Sequence, residues 1–179
     1  RNIILMKYFV KFFVVTFFLL FSTDVIAEQK IVVLDLKYVL NNSKAGKNAQ
    51  DFLKKSYNNN LKKYADMEKA LKKEEQDLLT KKTVLSKEEY TKKTDALRKK
   101  VIDFQSQRRS AIDKIATQRA NSRETLIKNI DPILDAYIKE NNIALVVDKK
   151  VALGGLPEND ITTIITEKLN KTLPSLNLK

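Results

Sequence analysis

The sequence predicts an α+β protein in which a long antiparallel helical hairpin, the arm, stands on a small strand-containing body. Three observations carry this. Between Lys44 and Glu140 almost a hundred residues hold one proline and, at the very start, one glycine, Gly46. Apolar residues recur there at helical spacing with lysine filling much of the rest, so the stretch must run out as helix, turn and run back. Both flanks of the stretch instead carry short runs rich in β-branched residues.

Taken in order, Ile31-Val32-Val33-Leu34-Asp35-Leu36 is a continuous apolar run of strand length. Residues 36–42 form a turn or short helix, and Ser43 caps a helix starting near Lys44. This first long helix extends to about Lys82. Tyr57, Tyr64, Leu71, Leu78 and Leu85 repeat every seven residues, but the companion positions Asn60, Glu74 and Lys81 are polar. A two-seam coiled coil would be better filled. The helix is therefore expected to pack on one partner and stay wet elsewhere.

The chain reverses over 83–86. Ser86 followed by Glu89 is a capping box, which opens a second helix from about Lys87 to Glu140. Leu97, Val101, Phe104, Arg108, Ala111 and Ile115 step by fours and threes, with an arginine inside the seam. After Gln118 the register slips, and Leu126, Ile130, Ile133, Leu134, Tyr137 and Ile138 make a broader apolar face that belongs to the body. At Asp131-Pro132 the helix either kinks or restarts. At about 1.5 Å per residue the two helices are roughly 60 and 80 Å long.

Asn141-Asn142 ends the second helix. A strand is expected over 143–148, a third over 151–153, a loop at Gly154-Gly155, and a last helix over about 161–172. That helix is capped by Asp160, and its buried face is Ile161, Ile164, Ile165 and Leu169. The arm is then 45–126. The body is 28–44 with 127–179, about 70 residues. A unit that small has little core of its own, and its strands have open edges. Self-association answers both needs. Ile31, Val33, Leu34, Leu145, Val147 and Ile164 are the candidate oligomer contacts.

Residues 1–27 read as an extension followed by a secretory signal peptide. A basic start at Met6-Lys7 precedes an apolar run from Phe12 to Phe21, and Val25-Ile26-Ala27 is a cleavage signal, with the cut after Ala27. The run is short for the roughly 30 Å of a bilayer core. A soluble periplasmic protein is expected. The chain has no cysteine, hence neither disulfide framework nor lipidated anchor. Its formal net charge is +12; without the first 27 residues, 31 basic and 21 acidic side chains leave +10. Such a balance implies acidic partners, namely anionic lipid, lipopolysaccharide, nucleic acid or an acidic protein surface.

Catalysis finds little support. The chain lacks His and Cys, so the usual general base, thiol nucleophile and transition-metal ligands are missing. With three glycines there is no phosphate-cradling loop. Asp35 and Asp148, at strand ends, read as turn and pairing residues. No catalytic residue, cofactor or metal is expected. The lysine pairs of the arm, such as Lys54-Lys55 and Lys62-Lys63, solvate a long helix face and also attract anions. Tyr57, Tyr64, Met67, Leu71, Phe104 and Ile115 are seam residues that double as candidate surface for a bound protein. Arg108-Arg109 adds charge to that surface: a buried unpaired charge is costly, so the seam opens there or the side chain snorkels to water.

The order strand, long basic hairpin, strands, helix, with Lys30-Ile31-Val32-Val33-Leu34-Asp35-Leu36, Ser43-Lys44-Ala45-Gly46-Lys47 and Ile143-Ala144-Leu145-Val146-Val147-Asp148, resembles the Skp-type (OmpH-like) periplasmic chaperones. The resemblance covers the chain beyond the signal peptide. It implies a trimer whose strands form a β-body and whose arms surround a cavity. It implies an ATP-independent holdase, without cofactor, that keeps unfolded outer-membrane β-barrel proteins from aggregating before insertion. Lipopolysaccharide binding is known in some members, but no such site can be matched here residue by residue. The rival readings are a basic coiled-coil envelope spacer and a protein binding an anionic ligand, lipopolysaccharide or nucleic acid. Nucleic acid is disfavoured by export and by the lack of a reader motif. The spacer would need a continuous two-seam heptad, and it leaves the strands unexplained.

Overall fold

The computed structural model describes residues 30–178. The expected signal peptide and its cleavage site lie outside them. The elements are β1 (Lys30–Leu34), α1 (Leu36–Asn42), α2 (Lys44–Thr80), α3 (Lys87–Glu140), β2 (Ile143–Asp148), a single 3-10 turn (Pro157–Asn159) and α4 (Thr162–Thr172).

β1 and β2 pair as a two-stranded sheet. The amide of Lys149, just past β2, donates to the carbonyl of Leu34, which ends β1 (3.0 Å). The strands therefore end side by side and run the same way. Parallel neighbours need a long crossover, and here the crossover is the entire helical hairpin. The other edge of β1 is closed by Asp160, in a parallel bridge with Val33, and by the Ile161 amide donating to the Val33 carbonyl (3.0 Å). Among the described residues nothing pairs with the outer edge of β2.

The core of the body is assembled from both strands and all four α-helices. Val32 and Leu34 of β1, Val39 and Leu40 of α1, Leu126 and Ile130 of α3, Ile143 of β2, and Ile161, Ile165 and Leu169 around α4 are all buried together. Ile133, Leu134, Tyr137 and Ile138 pack against them, so the broad face after Gln118 is indeed the root of the arm inside the body. α3 continues unbroken through Pro132, which removes the alternative of a restart there. Asn142 follows it in the left-handed conformation with φ 50°, a position Asn tolerates.

Two expectations need correction. Residues 151–153 form no strand: the chain turns at Lys149–Val151 and leaves Leu153 fully exposed. The turn after β2 takes up Val151, which leaves too few residues to pair along the open edge of β2, and β1 is already bonded on both sides. Ile164 does not share the buried face of α4, because Ile161, Ile165 and Leu169 already fill the i, i+4, i+8 row that faces the core, and Ile164 stands outside it.

The arm's entry is a tight corner. Ser43 follows α1 and caps α2. It is fully buried, and its hydroxyl accepts from the Gly46 amide (3.1 Å). Asn170 of α4 reaches across, its side-chain oxygen accepting from the Lys44 amide (2.7 Å). Two of the free amides at the start of the long helix are thus satisfied, one locally and one by the last helix. Asp160 is not the cap that was expected: Ile161 holds the N-cap position of α4 without a side-chain cap bond, and Asp160, one residue earlier, accepts from the Thr162 amide (2.9 Å) while it pairs with Lys149 (2.6 Å). Burial works to raise the Asp160 pKa, but the bonds from Lys149 and Thr162 outweigh it and hold the carboxyl below its usual range. A depressed carboxylate gives stability that is present above the unfolded value and lost as pH falls through the folded one. Thermal midpoints are therefore expected to decline below about pH 4, and Asp160→Asn to flatten that decline. An unchanged slope in the variant would remove Asp160 from the cause.

Candidate functional site

The candidate site is the arm. α2 and α3 pack along a sparse seam in which Leu53, Tyr64, Leu97, Phe104 and Ile115 are buried, and Met67, Leu71, Val101 and Ala111 half-buried. The Tyr64 ring meets Phe104 edge-on, with centroids 6.1 Å apart at 63°. Its hydroxyl donates to the carbonyl of Gln107 (3.0 Å). Farther out, Lys100 of α3 pairs with Glu74 of α2 at 2.6 Å. At the tip the capping box is complete: the Glu89 amide donates to the Ser86 hydroxyl (3.2 Å), and the Glu89 carboxylate accepts from the Ser86 amide (3.2 Å). The Ser86 hydroxyl also donates to that carboxylate (2.9 Å), and this bond, together with that from the Ser86 amide, holds Glu89 below the usual carboxylate range. Removing the Tyr64 hydroxyl in Tyr64→Phe is expected to cost about 1 kcal/mol, the net worth of one such bond, measured as a shift in the urea midpoint at constant slope.

Arg108, though in seam register, is exposed, and so is Arg109. Tyr64 supplies the reason: its ring and hydroxyl occupy the space opposite the Gln107 carbonyl, so the neighbouring arginine turns to water. Its charge still reaches Glu68, whose pKa is lowered first by the ion pair with Lys72 (2.9 Å) and to a lesser degree by Arg108.

The candidate surface residues therefore divide. Tyr64, Phe104 and Ile115 are closed in the seam, Met67 and Leu71 are partly covered, and Tyr57, Arg108 and Arg109 face solvent. Five exposed apolar residues of the arm were missed: Leu61, Leu79, Val84 at the tip, Ile102 and Ile112. Three of them directly follow seam positions (Leu78, Val101, Ala111), a spacing the sequence already held. At the arm's root an open groove of about 860 Å3 lies between α1, α2 and α3, lined among others by Lys47, Lys54, Tyr57, Arg119 and Arg123.

On the body, Ile31, Leu145 and Ile164 are substantially exposed, Val33 and Val147 half-buried, and Leu34 is enclosed in the core of its own chain. The strand-end aspartates have structural partners. The Asp35 carboxylate accepts from the Tyr38 amide (2.7 Å) and caps α1, and that of Asp148 accepts from the Lys150 amide (2.9 Å). Among the described residues no group of three or more His, Cys, Asp or Glu side chains is placed to hold a metal ion, and no helix is long and apolar enough to cross a membrane.

A parallel strand pair whose crossover is a long, half-wet helical hairpin defines a class of arm-bearing α+β proteins. The chain belongs to the OmpH-like outer membrane protein family, whose pattern its residues 30–169 match. It is similar to a Skp-like protein of Pseudomonas aeruginosa, 24% identical over 166 residues that span 93% of this chain and 99% of that one. Its fold is that of a protein of Caulobacter crescentus described as an OmpH-like outer membrane chaperone, with a TM-score of 0.78 and 15% identity over 86% of this chain and 90% of that chain.

Proposed function

We propose that this protein is an ATP-independent periplasmic holdase, assembled as a trimer, that binds unfolded outer-membrane β-barrel proteins between its arms and keeps them from aggregating before membrane insertion. The observation that carries this reading is the arm itself: a hairpin with a thin seam that leaves apolar side chains and many cations facing water along its length. An unfolded chain offers no fixed shape, so many weak contacts spread over a long surface suit it better than one pocket. No nucleotide is required if insertion and folding in the membrane run downhill.

Self-association is supported by the body. Ile31 of β1, Leu145 of β2, and Val151 and Leu153 after it are all more than half exposed, and the outer edge of β2 is unpaired among the described residues, an arrangement that a single copy leaves wet. The net positive charge favours acidic unfolded chains, and it extends to anionic lipid or lipopolysaccharide at the cation-lined root groove. The reading is non-enzymatic and needs no cofactor.

Diluting a urea-unfolded outer-membrane barrel protein into the protein lacking residues 1–27, and following light scattering, tests it. Suppression at stoichiometric oligomer is expected. Aggregation at the unassisted rate would overturn it. Raising salt from about 0.05 to 0.5 M is expected to slow capture, since the Debye length shrinks from about 14 to about 4 Å. Capture rates that ignore salt would remove electrostatic attraction from the mechanism.

A further inference from the structure

The two sides of the arm are unlike. In an antiparallel pair of right-handed helices, the residues that directly follow seam positions fall on the same side of both helices. The grooves confirm this placement twice. Near the root, Lys54 and Tyr57 of α2 line one groove with Arg119 and Arg123 of α3. Nearer the tip, Glu68, Lys72 and Glu75 of α2 share a groove with Arg98 and Gln105 of α3. Helical steps of three, four and seven connect these anchors along each helix. On α2 the row passes through Tyr57, Leu61 and Leu79; on α3 it passes through Ile102, Arg109 and Ile112. Those five apolar residues are all the exposed large hydrophobics of the two arm helices among the described residues. The groove on the opposite side is lined by Ala70, Lys100, Asp103 and Gln107 beside the seam, and has none of them.

We infer that this side is the binding face, and that its occupant is an extended segment of unfolded, acidic polypeptide. This rests on the holdase reading and gives it an address. Charge complementarity sets the chemistry. Lys54, Arg109, Arg119 and Arg123 stand on the face, and none of them is in an ion pair among the described residues. Glu68 and Glu75 interrupt the cations halfway along the arm, which an anionic lipid surface would meet unfavourably and a polypeptide of mixed charge accommodates. The dimensions agree. From Tyr57 to Leu79 the helix rises about 33 Å, the reach of about ten residues of extended chain. That is the length of one membrane-spanning β-strand, about 9–11 residues, whose side chains alternate apolar and polar.

The test compares two variants with the unaltered protein. Leu61→Ser, Ile102→Ser and Ile112→Ser together remove apolar surface from half-exposed positions; Lys63→Ser, Ala70→Ser and Gln107→Ser change the other side. Affinity for a urea-unfolded, acidic β-barrel outer-membrane protein is read by fluorescence titration, folding by circular dichroism, and assembly by sedimentation. The first variant is expected to melt and assemble normally and to bind about tenfold more weakly, while the second binds within about twofold. Should the first variant bind as well as the unaltered protein, the face is wrong and the holdase reading stands. Should the unaltered protein itself fail to bind, the holdase reading falls first. Loss of the oligomer in the first variant would assign the face to a second copy of the chain. Retention of client binding with loss of binding to anionic phospholipid vesicles would assign it to a membrane. Either result overturns the proposal. If the first variant does not fold, Arg109→Glu with Arg119→Glu, both at exposed positions, replaces it, with weakened binding to the same acidic protein as the required result.

Discussion

Gly46→Ala is expected to destabilise the protein by about 2 kcal/mol, although alanine is the better helix former. In an exposed helix interior the change would add about 1 kcal/mol of stability. Here a Cβ would overlap the carbonyl oxygen of Leu40 and crowd its carbon and the Ser43 hydroxyl. The overlap is with backbone, which cannot rotate away. Overpacking of this kind costs about 1–3 kcal/mol, and displacing Ser43 weakens the cap of α2 by about 1 kcal/mol more. The clash and cap terms together exceed the propensity gain. Leu40 and Ala45 are core residues on either side of the corner, so the strain enters the body. A lowered urea midpoint with the arm's helicity largely retained is the expected result. A variant as stable as the parent would show that the corner yields easily, and that Gly46 is not held by this contact.

The largest functional effect is expected from shortening the arm. Tyr64 stands level with Phe104 and Gln107, and Tyr57 and Ile112 lie about two turns nearer the root, so replacing residues 57–112 by a glycine-containing turn joins the helices at matching heights. This removes the outer seam, the Glu74–Lys100 pair and, from the proposed binding face, all five exposed apolar residues and Arg109, and leaves Leu53, Ile115 and the whole body core in place. The truncated protein is expected to keep its oligomeric state by sedimentation. Its ability to suppress aggregation should fall about a hundredfold, because contacts that act together lose their effective concentration when most are removed. A truncated protein that falls apart into monomers would place the subunit contacts on the arm, and one that still protects would place the client on the body.

Much of the fold was legible because helix signals are local. The capping box at Ser86 and Glu89, the cap at Ser43, and the change of seam at Gln118 each depend on residues within a turn or two of one another, and the structure places each where the spacing indicates. The errors concern partners far away in sequence. Residues 151–153 have strand composition, but the turn after β2 takes up Val151, and both edges of β1 are bonded by partners more than a hundred residues away. Ile164 is apolar at a plausible position, but Ile161, Ile165 and Leu169 already fill the row facing the core. Pro132 left two outcomes open that local rules could not separate, and α3 passes through it without restarting.

The candidate site divides in the same way. Heptad spacing finds residues that alternate toward a partner helix, so it selected Tyr64, Phe104 and Ile115, which the pairing then buries. Surface is what pairing leaves uncovered. Leu61, Leu79, Ile102 and Ile112 become a shared face only when two antiparallel helices are set against each other. The sequence by itself determined the helices, their ends, the reversal and the positive charge, since these follow from backbone propensity, capping and composition. The tertiary structure decided which apolar residues stay in water, that β1 and β2 run parallel, and that Asn170 of α4 pins the start of the arm. Those properties depend on distances between residues more than a hundred positions apart, or on opposite strands of a hairpin, and no local pattern contains them.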